Sequence, residues 1–235
     1  MTGRLPARLE ELAEQWQLPP EAPQQLATVL RLVEAEPTAI TTVRDPAAGV
    51  DVHVADSLAA LAIDAVRDAA RIADLGSGGG FPGLALAAAL PATQVTLVES
   101  VGKKCAFLRA AADAAGLGNV EVVNARAEAW PAGLDANDVV TARALAPLNV
   151  LVEYAAPLLC DRGTLVAWKG RRDPAEEADG AAAAAVLGLE SQEPLRVEPF
   201  PGAVERHLYV YLKVRETPSG YPRRAGMARK RPITA

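Results

Sequence analysis

The chain has little of what builds metal centres, disulfide frameworks or proton relays. Among its 235 residues stand two cysteines, Cys105 and Cys160, and two histidines, His53 and His207. No pair has CxxC or HxxxH spacing, so neither a metal site nor a disulfide framework is expected. His53, Asp56 and Ser57 are triad residue types, but side chains this close in sequence, leading into a helix, do not assume triad geometry. Long apolar runs are absent too. The longest, such as Ala181–Leu189, fall far short of the roughly 20 residues needed to cross a bilayer. The first residues carry Arg4, Arg8, Glu10, Glu11 and Glu14 with no apolar core behind them, so no signal peptide is expected. A soluble, cytoplasmic protein with no membrane partner is the expectation. The net charge of −5, taken as an average, argues against a nucleic-acid partner.

What is present is an ordinary globular composition, 50% hydrophobic and 23% charged, long enough for one large α/β domain with a helical extension. Residues 1–70 read as a helical extension, with Leu5, Leu9, Leu12 and Trp16, then Leu26, Val29, Leu30 and Val33, at helical spacing. Asp56-Ser57 before the apolar run Leu58–Ile63 reads as a capped helix start. From residue 71 short strands alternate with helices: strands at 71–75, 94–98, 120–123, 138–142 and 164–168, helices at 81–90, 103–115 and 148–159. That alternation predicts a mostly parallel, doubly wound sheet. An alanine-rich helix at 174–187 precedes candidate strands at 189–197 and 207–214. With no helix between them, these form an antiparallel pair at the sheet edge. The domain reading is 71–214, followed by a flexible basic tail at 215–235. Both cysteines are expected on apolar helix faces, as core residues.

The segment Asp74-Leu75-Gly76-Ser77-Gly78-Gly79-Gly80-Phe81-Pro82-Gly83 carries the most information. Glycines between a strand and a helix allow a sharp turn and close approach of a ligand to the backbone. Glu99 closes the next strand, where a carboxylate can accept hydrogen bonds from both hydroxyls of a ribose. Gly78-x-Gly80-x-x-Gly83 also matches a dinucleotide pattern, so NAD and S-adenosylmethionine both remain open. A carboxylate two residues before the first glycine repels a pyrophosphate. It attracts the ammonium and sulfonium of S-adenosylmethionine, directly or through water.

Further segments follow in a fixed order. Thr42-Val43-Arg44-Asp45-Pro46 and His53-Val54-Ala55-Asp56-Ser57-Leu58 precede the loop. Leu97–Lys104, Asn124–Glu128, Thr141–Ala144, Trp168-Lys169-Gly170 and Glu205–Leu208 come after it. The ordered set resembles the bacterial small-subunit (16S) rRNA guanine-N7 methyltransferase family, known as RsmG or glucose-inhibited division protein B, from about Thr38 to the C-terminus. The sequence departs from that family at Val52, where a basic residue is common, and at Ala39-Ile40-Thr41-Thr42. The resemblance implies a Rossmann-like class I S-adenosylmethionine-dependent methyltransferase fold: a mostly parallel seven-stranded sheet with an antiparallel edge hairpin and N-terminal helices. It implies that Gly76 and Phe81 contact the methyl donor from the loop; Asp74, Gly78 and Glu99 join them as donor-binding candidates from the loop and strand-end pattern above. Ala127 and Glu128 would lie at the adenine end, and Arg143 would face donor and substrate.

Guanine N7 offers a lone pair and carries no proton at neutral pH. Its methylation needs alignment rather than a base, so scarce histidine is no obstacle. Residues 213–235 hold Lys213, Arg215, Arg223, Arg224, Arg229, Lys230 and Arg231 against Glu216, a net +6, which leaves −11 for the rest. This suits an arm that lies along RNA phosphate. Lys103, Lys104, Arg109, Lys169, Arg171 and Arg172 extend the basic surface. A small-molecule methyltransferase, an NAD-dependent oxidoreductase and an RNA-binding protein with a vestigial pocket are the alternatives.

Overall fold

Five short runs rich in valine, leucine and alanine pair side by side; the inner ones are largely apolar on both faces, as strands covered by helices must be, while the edge run at 120–124 is half-exposed. The computed structural model describes residues 4–37 and 41–235, so Thr38 and Ala39-Ile40 lie outside the described residues. The strands are β1 (Arg71–Leu75), β2 (Gln94–Glu99), β3 (Val120–Asn124), β4 (Asn137–Arg143) and β5 (Leu159–Lys169). They lie in the order β3-β2-β1-β4-β5, all parallel. Beyond β5 come β6 (Leu189–Ser191), β7 (Leu195–Val197) and β8 (Arg206–Lys213). Strand β8 runs antiparallel to β5, and β6 and β7 both pair antiparallel with β8. Eight strands therefore fill seven positions. The single strand expected at 189–197 is broken at residues 192–194, where Pro194 has no N–H for the ladder.

The helices between strands are α6 (Gly83–Ala89), α7 (Gly102–Ala115), α8 (Leu148–Ala155) and α9 (Pro174–Leu187), after α1 (Arg4–Trp16), α2 (Ala22–Ala35), α3 (Pro46–Gly49), α4 (Asp56–Leu58) and α5 (Asp64–Arg67). Side chains of one strand alternate between two cores. Ile72, Val95, Leu97, Val139 and Val166 join α2, α6 and α7 on one face, while Ala73, Leu75, Val98, Val140 and Leu165 join α8 and α9 on the other. Leu9, Leu12, Leu26 and Leu30 belong to the first of these cores, so the N-terminal helices close one face of the sheet. Helix α8 is shorter than expected because Pro157 cannot continue it. Strand β5 then begins at Leu159, which puts the half-buried Cys160 on a strand and leaves only Cys105 on a helix.

Asp56 does not cap a fresh helix start; α4 continues a helical run already under way. Residues 46–62 run helically throughout, through α3, a π-helical segment (Val50–Ala55), α4 and a final 3-10 turn (Ala59–Ala62). The cap lies eleven residues earlier, where the Asp45 carboxylate accepts from Ala48 N at 3.0 Å and Pro46 occupies the first turn. Among the described residues no helix is long and apolar enough to cross a membrane.

Helix α6 begins against the sheet with no room for a side chain. A Cβ on Gly83 would stand 2.2 Å from Leu97 Cδ2 and 2.9 Å from Asp74 Oδ2. Gly83→Ala is therefore expected to cost about 1–3 kcal/mol in urea unfolding, as overpacking does. Gly118→Ala, with nothing within 4 Å of the added carbon, is expected to be near neutral.

Candidate functional site

The alternation that sorts the cores also aims the polar residues. Asp74 is flanked by Ala73 and Leu75 of the α8 face, so its side chain points to the α6 face, as does Thr141, its neighbour across the β1–β4 register. The Asp74 carboxylate is fully buried; it accepts from Thr141 Oγ1 at 2.9 Å and Gly83 N at 3.3 Å. It sits beneath the glycine loop rather than in a pocket. Both oxygens face the protein, so the carboxylate serves as a structural clamp, and of the two routes expected for attracting a ligand's ammonium the direct one is closed. Burial pushes its pKa up to about 6, against the opposing pull of the Thr141 and Gly83 hydrogen bonds and the Arg143 charge.

Above the clamp the chain turns sharply. Gly76 N donates to Val98 O at 2.8 Å and Gly80 N to Ser77 O at 2.7 Å. Gly76 has φ +67, and a Cβ there would lie 2.6 Å from Leu145 Cδ1, so only glycine fits. Glu99, at the end of β2, is buried; its carboxylate accepts from Gly78 N at 3.1 Å and Val101 N at 2.8 Å. A cavity of about 440 Å³ opens at the carboxyl ends of β1, β2 and β3. Gly76, Val98, Ala127, Glu128, Leu145 and Tyr154 line it. This is the position at which parallel α/β sheets bind ligands.

Arg143 and Phe81 stand on the other face of the sheet end, outside that lining. The Arg143 guanidinium donates to Asp56 Oδ2 at 2.8 Å and Val52 O at 3.2 Å, and lies 5.9 Å from the centre of the Phe81 ring. His53 stacks on Phe81, centroids 5.0 Å apart and planes 12° apart. Burial, reinforced by the Arg143 charge, lowers the His53 pKa, although its hydrogen bond to Val43 O at 2.8 Å acts the other way. A neutral imidazole with Nε2–H on Val43 O leaves Nδ1 to accept, at 3.5 Å, from Arg143. Trp168 Nε1 donates to Asp56 O at 2.8 Å. The π-helical segment thus delivers His53 and Asp56 to the end of β4, a juxtaposition that sequence spacing does not reveal.

The site residues therefore fall into two adjoining groups: Gly76, Ala127 and Glu128 around the cavity, with Gly78, Glu99 and Asp74 bracing its loop, and Phe81 and Arg143 in the histidine cluster. Sequence reading missed Leu145, Tyr154 and Thr141. Only the strand register with Asp74 could have marked Thr141. Among the described residues no group of three His, Cys, Asp or Glu side chains is placed to hold a metal.

The tail differs from expectation. Instead of a free arm it lies on the body, because several of its cations have internal partners. Lys213 ends β8 and donates to Asp135, and Arg223 pairs in bidentate fashion with the buried Glu153. Arg224, Lys230 and Arg231 are exposed. On the body, Lys169, Arg171 and Arg172 pair with Glu176, Glu205 and Glu177, which reduces the basic surface expected there.

Asp74 gives a pH signature. Its carboxyl titrates near 3.8 when unperturbed and about 6 in the fold. A raised pKa means its contribution to stability is full below about pH 4 and is lost as pH rises through about 6. Relative to wild type, Asp74→Asn is expected to gain about 2–3 kcal/mol between pH 4 and pH 7 in urea titrations. Arg143→Met leaves the buried Asp56 carboxylate to the half-exposed Arg206 at 3.5 Å and is expected to cost about 3 kcal/mol, most of it recovered when Asp56→Leu is added.

The comparisons with known proteins agree with this geometry. Residues 24–209 match the family model described as rRNA small subunit methyltransferase G. A ribosomal RNA small subunit methyltransferase G from Rubrobacter xylanophilus is 45% identical over 196 residues, 81% of this chain and 75% of the relative. One from Chloroflexus aggregans is 43% identical over 199 residues, 83% of this chain and 82% of the relative. Among solved structures, one described as a predicted O-methyltransferase from Agrobacterium tumefaciens is 30% identical with a TM-score of 0.53, covering 68% of this chain and 80% of that one. The Rossmann-like class I methyltransferase fold, the glycine loop on its buried carboxylate and the match over residues 24–209 lead to one assignment: the chain belongs to the rRNA small subunit methyltransferase G family.

Proposed function

We propose that this protein transfers a methyl group from S-adenosylmethionine to N7 of a guanine in 16S rRNA. The observation that carries the reading is the glycine loop, held by Asp74 from below and opening at Gly76 onto the cavity at the carboxyl ends of β1–β3. The donor fits these residues. The cavity is within the ~300–1,000 Å³ range of small-ligand sites. Gly76 brings backbone to its edge, and the loop rests on two carboxylates, Asp74 and Glu99, which suit a ligand without phosphate. When bound, S-adenosylmethionine supplies an electrophilic methyl on a sulfonium.

The protein's own part is binding and alignment. Gly76 and Gly78 form the loop side of the site, with Phe81 across the sheet end beside Arg143. Glu99 offers its carboxylate beside Gly78, and Ala127 and Glu128 form the adenine end. Arg143 orients the guanine: a planar guanidinium suits O6 or a neighbouring phosphate, and the Asp56, Val52 and Phe81 contacts hold it rigidly. No proton has to leave N7, so the neutral His53, whose Nε2–H is on Val43 O, need not act as a base. Alignment of reacting atoms in a site that excludes water can contribute up to about 7–11 kcal/mol. Lys103, Lys230 and Arg231, all exposed, supply phosphate contacts. An rRNA substrate places the protein in the cytoplasm.

The test is to incubate the protein with labelled donor and small subunits, or naked 16S rRNA, from cells lacking it. Label is expected in N7-methylguanosine, falling steeply with added salt. Absence of that label on both substrates would overturn the reading; transfer to a small molecule instead would favour the small-molecule alternative.

A further inference from the structure

The basic segment after β8 ends on the cavity rather than in solvent. Its last helix, α10 (Met227–Lys230), packs on α8 through Ala228, which is 1% exposed. Arg229 lines the cavity together with Gly76, Ala127, Glu128, Leu145 and Tyr154. Two hydrogen bonds tie the segment to lining residues. Glu128 Oε1 accepts from Gly226 N at 2.8 Å, and Arg229 donates to Leu145 O at 2.7 Å. Two more hold it nearby. Asn149 donates to Ile233 O at 2.7 Å, and the Arg223 guanidinium grips Glu153, whose side chain is 3% exposed. A buried carboxylate without that cation would be costly, so the pair fixes where the segment lies.

With the segment in place the cavity still measures about 440 Å³. The segment therefore walls the space and does not plug it. The Tyr154 phenol belongs to the same wall: burial pushes its pKa up, and a hydrogen bond from Arg229 opposes the shift. The family match ends at residue 209, before any of these tail residues.

We propose that residues 226–233 form a wall of the methyl-donor pocket, with Arg229 as a donor-binding residue and the Arg223–Glu153 pair as the staple that holds the wall. This rests on the donor reading of the cavity given above. A guanidinium with three N–H bonds beyond those on Leu145 O and Tyr154 can meet the edge or face of a nucleoside. The tail is then part of the donor site as well as a basic surface.

Calorimetric titration of the full chain with S-adenosylhomocysteine tests this. Arg229→Ala, at an exposed position where folding is not at risk, is expected to weaken binding about tenfold, as loss of a charged hydrogen bond does. Arg224→Ala removes the same charge from the same tail away from the cavity and is expected to stay within twofold. In steady state, Arg229→Ala is expected to raise the donor KM by the same factor with kcat unchanged, and Arg229→Lys to recover part of it. Arg229→Ala within twofold of wild type, or Arg224→Ala weakened equally, overturns the inference and leaves the donor reading standing. If the wild-type chain itself does not bind S-adenosylhomocysteine, the donor reading fails and the inference with it.

Discussion

A carboxylate with no access to water fixes how β1, β4 and α6 meet. Asp74 is costly to ionise where it lies, and the Thr141 hydroxyl and the Gly83 amide are what make the position tolerable. Those same two partners come from the neighbouring strand and the following helix. Satisfying one buried charge therefore sets the entry of α6 and, with it, the path of the loop from Gly76 to Gly80. Gly83 has to be glycine because any side chain would occupy the space of the carboxylate and of Leu97. The cavity edge at Gly76 is a consequence of this arrangement one turn above.

The second junction joins the N-terminal helices to the same sheet end. Arg143 leaves β4 toward the face covered by those helices and meets Asp56, His53 and Phe81 there. Phe81 belongs to the glycine loop and His53 to the π-helical segment, so the stacked pair connects the loop to the extension. The two faces of the sheet end thus have different tasks. One carries the charged cluster that binds the extension, and the other carries the open cavity, with the tail against it. The residues of one strand serve both, since consecutive side chains point to opposite faces.

Much of the fold was legible in the sequence, for identifiable reasons. Strand β1 and helix α9 have the bounds read from pattern because a charged residue, a glycine or a proline marks each end. The boundary of α8 differs because its apolar pattern carries past Pro157 into Leu158-Leu159 at the start of β5, and apolar composition alone does not separate a helix from a buried strand. The strand at 189–197 was read as continuous because its middle is exposed and polar on an edge, where only Pro194 signals the break. Asp56-Ser57 looked like a cap since both residues favour that role, yet the hydrogen bonds of a π-helical turn run through them. Of the site, the glycine loop and Glu99 were legible as residue types at strand ends, and Arg143 through the family resemblance. Thr141, Leu145 and Tyr154 were not, because nothing local distinguishes a threonine that bonds a buried carboxylate, or a leucine or tyrosine that faces a cavity, from one that packs a core.

The sequence by itself determined the parallel sheet, the acidic glycine loop and the split of charge between an acidic body and a basic tail. Each of these follows from neighbours in the chain: alternation, glycine conformation and composition. The tertiary structure decided which groups meet. It turned Asp74 inward, brought His53 and Asp56 to Arg143, and set Arg223 on Glu153 so that a tail read as a free arm lies at the cavity. The physical reason is that a buried charge takes whichever partner the packing brings within reach, and that partner stood 67 residues away in sequence for Asp74, 87 for Arg143 and 70 for Arg223.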